Sequence, residues 1–114
     1  MSTTTDDLRI RKTNQLISPE QLIGDVAVTD AAAETVANAR QTIHRILAGE
    51  DDRLLVVVGP CSIHDPAAAR DYGSRLRDAA DKLAADVFVV MRVYFEKPRT
   101  TVGWKGLIND PMLD

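Results

Sequence analysis

At 114 residues the chain is long enough for one small domain with a modest hydrophobic core, and its content of charged residues, 27%, is typical of a globular protein. The net charge of -3 argues against general nucleic-acid binding, and no apolar run reaches the length of a membrane span. The single cysteine, Cys61, excludes a disulfide within the chain and is typical of a reducing compartment. The composition therefore predicts a cytoplasmic protein that binds neither nucleic acid nor membranes.

The first 50 residues predict a polar arm followed by two helices. Residues 1–17 form the arm, and Ser18 followed by Pro19 has the residue types that begin a short helix. Thr29 or Asp30 begins the second helix, and Gly49 ends it. Apolar residues recur along the second helix at steps of three and four, which predicts one buried face: Val36, Ala39, Ile43, Ile46 and Leu47.

A strand, a helix and a second strand follow. Residues 54–58 and 87–93 are runs of mostly β-branched residues, which predict strands buried on both faces. Asp65 and Pro66 begin the helix between them, as a cap and a proline in the first turn. Its predicted buried face consists of Tyr72, Leu76, Ala79, Ala80 and Leu83. Two buried strands joined by a helix predict a parallel βαβ unit, and therefore an α/β fold.

Two segments lie at the carboxyl ends of these strands, where parallel α/β folds bind their ligands. The first is residues 59–65, and the second is residues 92–105. The second segment has four cations against the single anion Glu96, and therefore a net charge of +3 in an acidic protein. The four cations are Arg92, Lys97, Arg99 and Lys105. Such a loop favours the binding of small anions such as phosphates, with a solvated basic loop as the alternative.

The residue types at Cys61 leave three interpretations open. A free cysteine beside a strand is often a buried core residue. A thiolate is also a ligand for divalent metals, but the neighbouring His64 and Asp65 do not complete a set of three or four ligands. A nucleophile would need a nearby base, and the other histidine, His44, lies on a helix before the first strand.

The aromatic residues of the basic segment also have two interpretations. Tyr94, Phe95 and Trp104 lie among cations, an arrangement that can stack single-stranded nucleic acid. The favoured alternative is that they pack the loop against the rest of the protein.

Residues 52–65 and 91–111 closely resemble the two amino-terminal signatures of one family, the type I heptulosonate-phosphate (DAHP) synthases of bacteria and fungi. Residues 6–10 resemble the amino-terminal arm of that family, so the likeness covers nearly the whole chain. The resemblance implies a (β/α)8 barrel with an amino-terminal extension. Residues 1–50 are expected to form the extension with its helices. Since a barrel needs about 200–250 residues, residues 51–114 are expected to form only the first two strands of an incomplete barrel, with the basic substrate loop.

The resemblance also implies roles for individual residues. Cys61 resembles the thiolate ligand of a catalytic divalent metal, whose identity a single thiolate does not reveal. Arg92 and Lys97 resemble the cations that hold phosphoenolpyruvate, and Lys97 is the candidate catalytic residue for moving a proton. The motif that resembles the binding site for the phosphate of erythrose 4-phosphate comprises Pro98, Arg99 and Thr100.

The implied activity is the condensation of phosphoenolpyruvate with erythrose 4-phosphate and release of phosphate, the first step of the shikimate pathway to aromatic amino acids. The intact enzyme is expected to be a homodimer or homotetramer, and the 114-residue chain alone is expected to be inactive. One alternative is a non-catalytic remnant that associates with intact subunits. Another is a related synthase of eight-carbon ketose phosphates, although residues 97–101 favour the seven-carbon product. A generic phosphate-binding module is the remaining alternative.

Overall fold

The computed structural model describes residues 12–97, 103–104 and 106–112 of the chain. The chain divides into two compact units, Met1–Thr35 and Val36–Asp114, which are described separately below. No helix in the described part is long and apolar enough to cross a membrane. The elements of the described part are, in chain order, α1 (Pro19–Asp25), α2 (Asp30–Leu47), β1 (Leu54–Val58), α3 (Pro66–Lys82) and β2 (Val87–Met91).

Both predicted helix starts in the first unit are confirmed. The hydroxyl of Ser18 accepts a hydrogen bond from the N–H of Gln21 at 3.1 Å, which caps α1. The hydroxyl of Thr29 likewise accepts from the N–H of Ala32 at 3.2 Å, at the start of α2. Helix α2 continues into the second unit, and Gly49 follows its end with a φ of 74°. That left-handed conformation favours glycine, as expected at the end of a helix.

The second unit contains the predicted parallel βαβ arrangement. Strands β1 and β2 pair in parallel, with a register that runs from Leu54 opposite Val87 to Val58 opposite Met91. Helix α3 connects them and packs against β2. The carboxylate of Asp65 caps α3, since it accepts two N–H groups of the first turn at 2.8 and 3.3 Å. The carboxyl ends of both strands therefore lie side by side.

The prediction that both strands are buried on both faces is wrong for this chain. Leu54 and Val57 in β1 are 65% and 62% exposed, while β2 is half-buried along its length. The reason is that each strand has a single neighbouring strand within the described residues, and α3 packs on β2. The predicted face of α3 is also only partly covered, since Leu83 is 50% exposed. Strand β2 ends at Met91, two residues earlier than predicted.

An ion-pair cluster lies at the amino end of β1. Both carboxylate oxygens of Asp51 accept hydrogen bonds from the guanidinium of Arg53, at 2.9 and 2.7 Å, and Arg45 lies 3.9 Å away. Arg53 also donates to the carbonyl of Ala84 at 3.3 Å and stacks on the ring of Phe88. The hydrogen bonds from Arg53 lower the pKa of Asp51 to about 2. We refer to Arg45, Asp51 and Arg53 as the amino-end cluster.

Candidate functional site

The chain turns sharply at the carboxyl end of β1, next to the end of β2. The N–H of Arg92 donates to the carbonyl of Val58 at 2.8 Å, which extends the pairing one step beyond the strands. A Cβ atom at Gly59 would overlap the backbone carbonyl oxygen of Arg92 and would lie 3.0 Å from its nitrogen. Only glycine therefore allows the two backbones to approach this closely. This close approach brings the following residue pair, Pro60 and Cys61, over the end of β2.

Ile63 fixes the other end of this turn. Its N–H donates to the carbonyl of Tyr94 at 2.8 Å, and Ile63, 4% exposed, is the one buried hydrophobic residue among the described residues. Because the segment is held at Gly59 and again at Ile63, the position of Cys61 between them is restricted. The sequence analysis gave Ile63 no role, although an apolar residue in a strand-end loop is a usable signal for such an anchor.

The thiol of Cys61 and two of the predicted cations lie together. The ammonium of Lys97 donates to the sulfur of Cys61 at 2.8 Å, and Nη2 of Arg92 donates to the backbone carbonyl of Cys61 at 3.2 Å. Cys61 is exposed, so its interpretation as a buried core residue is wrong. The structure thus brings together Cys61, Arg92 and Lys97, although Arg92 and Lys97 follow Cys61 in the sequence by 31 and 36 positions.

The ring of Tyr94 contacts both cations. The guanidinium of Arg92 is 4.6 Å from the centre of its ring, and the ammonium of Lys97 is 5.4 Å from the same centre. The negative face of an aromatic ring attracts cations, so the ring offsets part of the repulsion between the two charges. The sequence-based interpretations of Tyr94 were nucleic-acid stacking and loop packing, and neither predicted this contact with both cations. In an extended chain, alternate side chains point to the same face, so Arg92 and Tyr94 share one face. This alternation is the signal in the sequence that would have indicated the contact.

The cations of the site have donors available for an anion. Within the described part of the chain, no carboxylate lies within ion-pair distance of Arg92 or Lys97. Nε of Arg92 is buried and has no hydrogen-bond partner among the described residues. Since a buried donor without a partner costs free energy, an anion bound here would be stabilised by the guanidinium.

The basic loop is closed at its base by contacts between its two ends. Glu96 and Gly106 form an isolated antiparallel bridge, and the N–H of Leu107 donates to the carbonyl of Phe95 at 2.9 Å. The ring nitrogen of Trp104 donates to the carbonyl of Asp110 at 2.6 Å. This bond supports the interpretation that Trp104 packs the loop, in preference to stacking on nucleic acid.

Three of the predicted substrate-binding residues lie outside the described residues: Pro98, Arg99 and Thr100. No three histidine, cysteine, aspartate or glutamate side chains of residues 12–97, 103–104 and 106–112 are grouped as a metal site would require. Cys61 fits one position of such a site, because it is exposed and a thiolate sulfur is a ligand for soft transition metals. A complete site would need two or three further ligands.

Comparison with protein families identifies relatives of the whole chain. A family model described as the DAHP synthetase I family matches residues 21–114. A Phe-sensitive phospho-2-dehydro-3-deoxyheptonate aldolase from Escherichia coli K12 is 58% identical over 114 residues, which cover 100% of this chain and 33% of the relative. A phospho-2-dehydro-3-deoxyheptonate aldolase from Amycolatopsis methanolica is 57% identical over 96% of this chain and 54% of the relative.

A solved structure supports the same relationship. Phospho-2-dehydro-3-deoxyheptonate aldolase from Francisella tularensis SCHU S4 superimposes with a TM-score of 0.83 and is 54% identical in sequence. The match covers 92% of this chain and 31% of that chain. The chain therefore spans about a third of the length of the Escherichia coli relative and of the solved structure. The described helices and parallel strands are similar to the corresponding part of that structure.

Proposed function

The chain belongs to the DAHP synthetase I family, and on that premise we propose that the protein condenses phosphoenolpyruvate with erythrose 4-phosphate and releases inorganic phosphate. This reaction is the first step of the shikimate pathway. The observation that carries the proposal is that both cations contact Cys61 at one strand end: Lys97 donates to its sulfur, and Arg92 donates to its backbone carbonyl. Because the chain spans about a third of its Escherichia coli relative, the activity is proposed for the complete enzyme that contains it.

Arg92 and Lys97 suit phosphoenolpyruvate because that substrate has both a phosphate and a carboxylate. The planar guanidinium of Arg92 matches two oxygens of either group, and the ammonium of Lys97 adds a point charge. Neither cation is neutralised by a carboxylate of the described residues. By resemblance, Arg99 and Thr100 bind the phosphate of erythrose 4-phosphate, with backbone contacts from Pro98.

We propose that phosphoenolpyruvate binds beside Cys61, because Lys97 lies there. The ammonium lies 2.8 Å from the sulfur. An anion that the ammonium binds would lie one hydrogen-bond length, about 3 Å, from it, and therefore close to the thiol. We propose that Cys61 contributes one ligand to a divalent metal, with the other ligands supplied from outside the described residues. Such a metal, when bound, supplies Lewis-acid polarisation of the aldehyde carbonyl.

The reaction forms a bond between the methylene carbon of phosphoenolpyruvate and the aldehyde carbon of erythrose 4-phosphate. Positive charge that develops at the enol-ether carbon is quenched by water, and the bond to the phosphate oxygen breaks. We propose that Lys97 moves a proton during these steps, since its amine lies next to both the bound anion and the thiol. Arg92 holds the anion in place and does not transfer a proton.

The larger architecture is also a proposal. Residues 51–114 would supply the first two strands of a (β/α)8 barrel and residues 1–50 its extension, which the parallel strand pair and the match to the solved structure support. Formation of a homodimer or homotetramer is supported by exposed apolar side chains in the first unit. These include Leu16, Ile17, Leu22 and Ile23, with exposed fractions of 84%, 53%, 49% and 70%. The single thiol supports a cytoplasmic location.

Replacement of Lys97 by methionine tests the proposed function. In the complete enzyme, Lys97→Met should lower the turnover number about 100-fold or more, because it removes both a charge and a proton donor. The measurement is the release of inorganic phosphate from phosphoenolpyruvate, which must depend on erythrose 4-phosphate. The 114-residue chain alone should release no phosphate.

Lys82→Met is the matched control, because Lys82 is exposed in the last turn of α3, outside the site. It should leave turnover unchanged. Full turnover by Lys97→Met would contradict the role of Lys97. Absence of turnover in the unaltered complete enzyme would contradict the proposed function and favour a non-catalytic protein. The eight-carbon alternative predicts turnover with a five-carbon aldose phosphate instead of erythrose 4-phosphate.

A further inference from the structure

A carboxylate next to the site residue Lys97 makes contacts that the proposed function does not use. Oε1 of Glu96 accepts a hydrogen bond from the N–H of Ile108 at 2.8 Å and a second from the N–H of Asn109 at 2.9 Å. These donors lie more than ten positions further along the chain, on the far side of the basic loop. The single oxygen therefore connects the two ends of the loop.

The backbone reinforces the same connection. Glu96 pairs with Gly106 in an antiparallel bridge, and Gly106 has a φ of 145°. A Cβ atom at Gly106 would overlap the carbonyl oxygen of Phe95 and would lie 2.7 and 2.8 Å from atoms of the Glu96 carboxylate. The turn closes further through the N–H of Asp110, which donates to the carbonyl of Gly106 at 2.9 Å. The carboxylate thus fits into a turn with no space for a side chain at residue 106.

We infer that Glu96 is a positioning residue, whose carboxylate joins the two ends of the basic loop and thereby holds the neighbouring Lys97 in place beside Cys61. We call this set of contacts the Glu96 latch, defined by Glu96, Gly106, Ile108 and Asn109. The inference rests on the proposed function, because that function assigns Lys97 to substrate binding.

The physical reason for a carboxylate is that two neighbouring N–H groups at the start of a turn need an acceptor. The structure solves the same problem at α3, where the carboxylate of Asp65 accepts two adjacent N–H groups. Hydrogen bonds to an ionised acceptor are stronger than those to a neutral one. Because Lys97 is bonded directly to Glu96 in the chain, movement of the latch moves the ammonium relative to the sulfur of Cys61.

The test compares Glu96→Ala with Glu96→Gln in the complete enzyme. The alanine variant should raise the KM for phosphoenolpyruvate, which Lys97 is proposed to bind, and lower kcat/KM about 100-fold, the effect expected of a misplacement of about 1 Å. The glutamine variant should lie between alanine and the unaltered enzyme, because its amide oxygen still accepts both N–H groups without a charge. A general loss of stability would lower the amount of active enzyme without raising KM.

A second measurement needs no turnover. In Glu96→Ala the amide hydrogen exchange of Ile108 and Asn109 should accelerate about tenfold or more, because their acceptor is lost. Gly106→Ala should have the same effect from the other side of the latch. Glu34→Ala removes a matched exposed carboxylate in α2 and should change neither KM nor exchange.

The two measurements separate the failure of this inference from that of the proposed function. If the unaltered enzyme is active, and Glu96→Ala changes neither KM nor amide exchange, the inference is wrong and the proposed function stands. Faster exchange with an unchanged KM would also overturn the inference, because the latch would then be structural only. If the unaltered enzyme has no synthase activity, the proposed function fails, and with it the role of the latch in positioning Lys97 for substrate binding.

Discussion

The two ends of the β1–β2 pair use arginine in opposite ways. At the amino end, Arg53 donates to both oxygens of Asp51, whose side chain is only 7% exposed. At the carboxyl end, Arg92 contacts a backbone carbonyl and an aromatic ring, and its Nε has no partner among the described residues. Two arginines that look alike in the sequence therefore differ in their remaining capacity to bind an anion.

This difference separates stability from binding. A guanidinium that is already paired with a carboxylate gains little free energy from binding a ligand. Removal of one member of the pair leaves the other, partly buried charge without a partner. A guanidinium without a carboxylate is repelled by the neighbouring ammonium until an anion neutralises both charges. We therefore expect substitutions at the amino-end cluster to change stability, and substitutions at the carboxyl end to change substrate affinity.

Arg92→Lys is the substitution that should separate the two ends most clearly. It retains the charge but removes the planar pair of donors, so the KM for phosphoenolpyruvate should rise about 10-fold to 100-fold, as expected when hydrogen bonds to a charged group worth about 1.5–3 kcal/mol are lost. The measurement is steady-state kinetics of the complete enzyme with phosphoenolpyruvate varied. The thermal unfolding midpoint should change little.

Arg75→Lys is the matched control for this prediction. Arg75 lies on α3, its side chain is 79% exposed, and it pairs with Asp71 four residues earlier. Exposed pairs of this kind contribute little, so the control should leave both KM and the unfolding midpoint unchanged. An unchanged KM in Arg92→Lys would show that the charge alone, without the geometry of the guanidinium, accounts for binding at this end.

The local elements of the fold could be predicted because short-range rules decide them. Ser18 and Asp65 cap helices where their residue types indicate it, and the run 54–58 is a strand over its predicted length. Burial was predicted less well. A run of β-branched residues indicates the environment for which a strand is suited, but burial depends on which elements pack against the strand, and those of the described part leave Leu54 and Val57 exposed.

The site could be predicted in part, because strand ends of a parallel pair meet at one edge. That rule predicts that Cys61 and Arg92 meet, and they are in contact in the structure. It did not predict Tyr94 beneath the cations or the two hydrogen bonds of Glu96, since both depend on side-chain direction in a loop without periodicity. A lone anion in a basic segment was the available signal for Glu96.

Asp51→Asn tests the amino end, and its effect should appear in stability rather than in kinetics. The substitution removes the charge that holds Arg53, so the thermal unfolding midpoint of the complete enzyme should fall while both KM values stay unchanged. Asp78→Asn is the control, because Asp78 forms an exposed pair with Arg77 and its side chain is 63% exposed. A midpoint that falls equally in the two variants would remove the distinction between a part-buried cluster and a surface pair.

The pH dependence of stability should give the smallest effect and the most specific one. The pKa of Asp51 is about 2 in the folded protein, against an ordinary value of 3.8 that applies to the unfolded chain. The folded state therefore binds the carboxyl proton of Asp51 less tightly than the unfolded state does. The stabilisation by the Asp51 carboxylate is therefore complete above about pH 4 and is lost as the pH falls toward 2. The difference in stability between the unaltered protein and Asp51→Asn should be constant near neutral pH and should shrink only in that acidic range. A difference that stays constant down to about pH 2 would mean that Asp51 is not the group that links the stability of this end to pH.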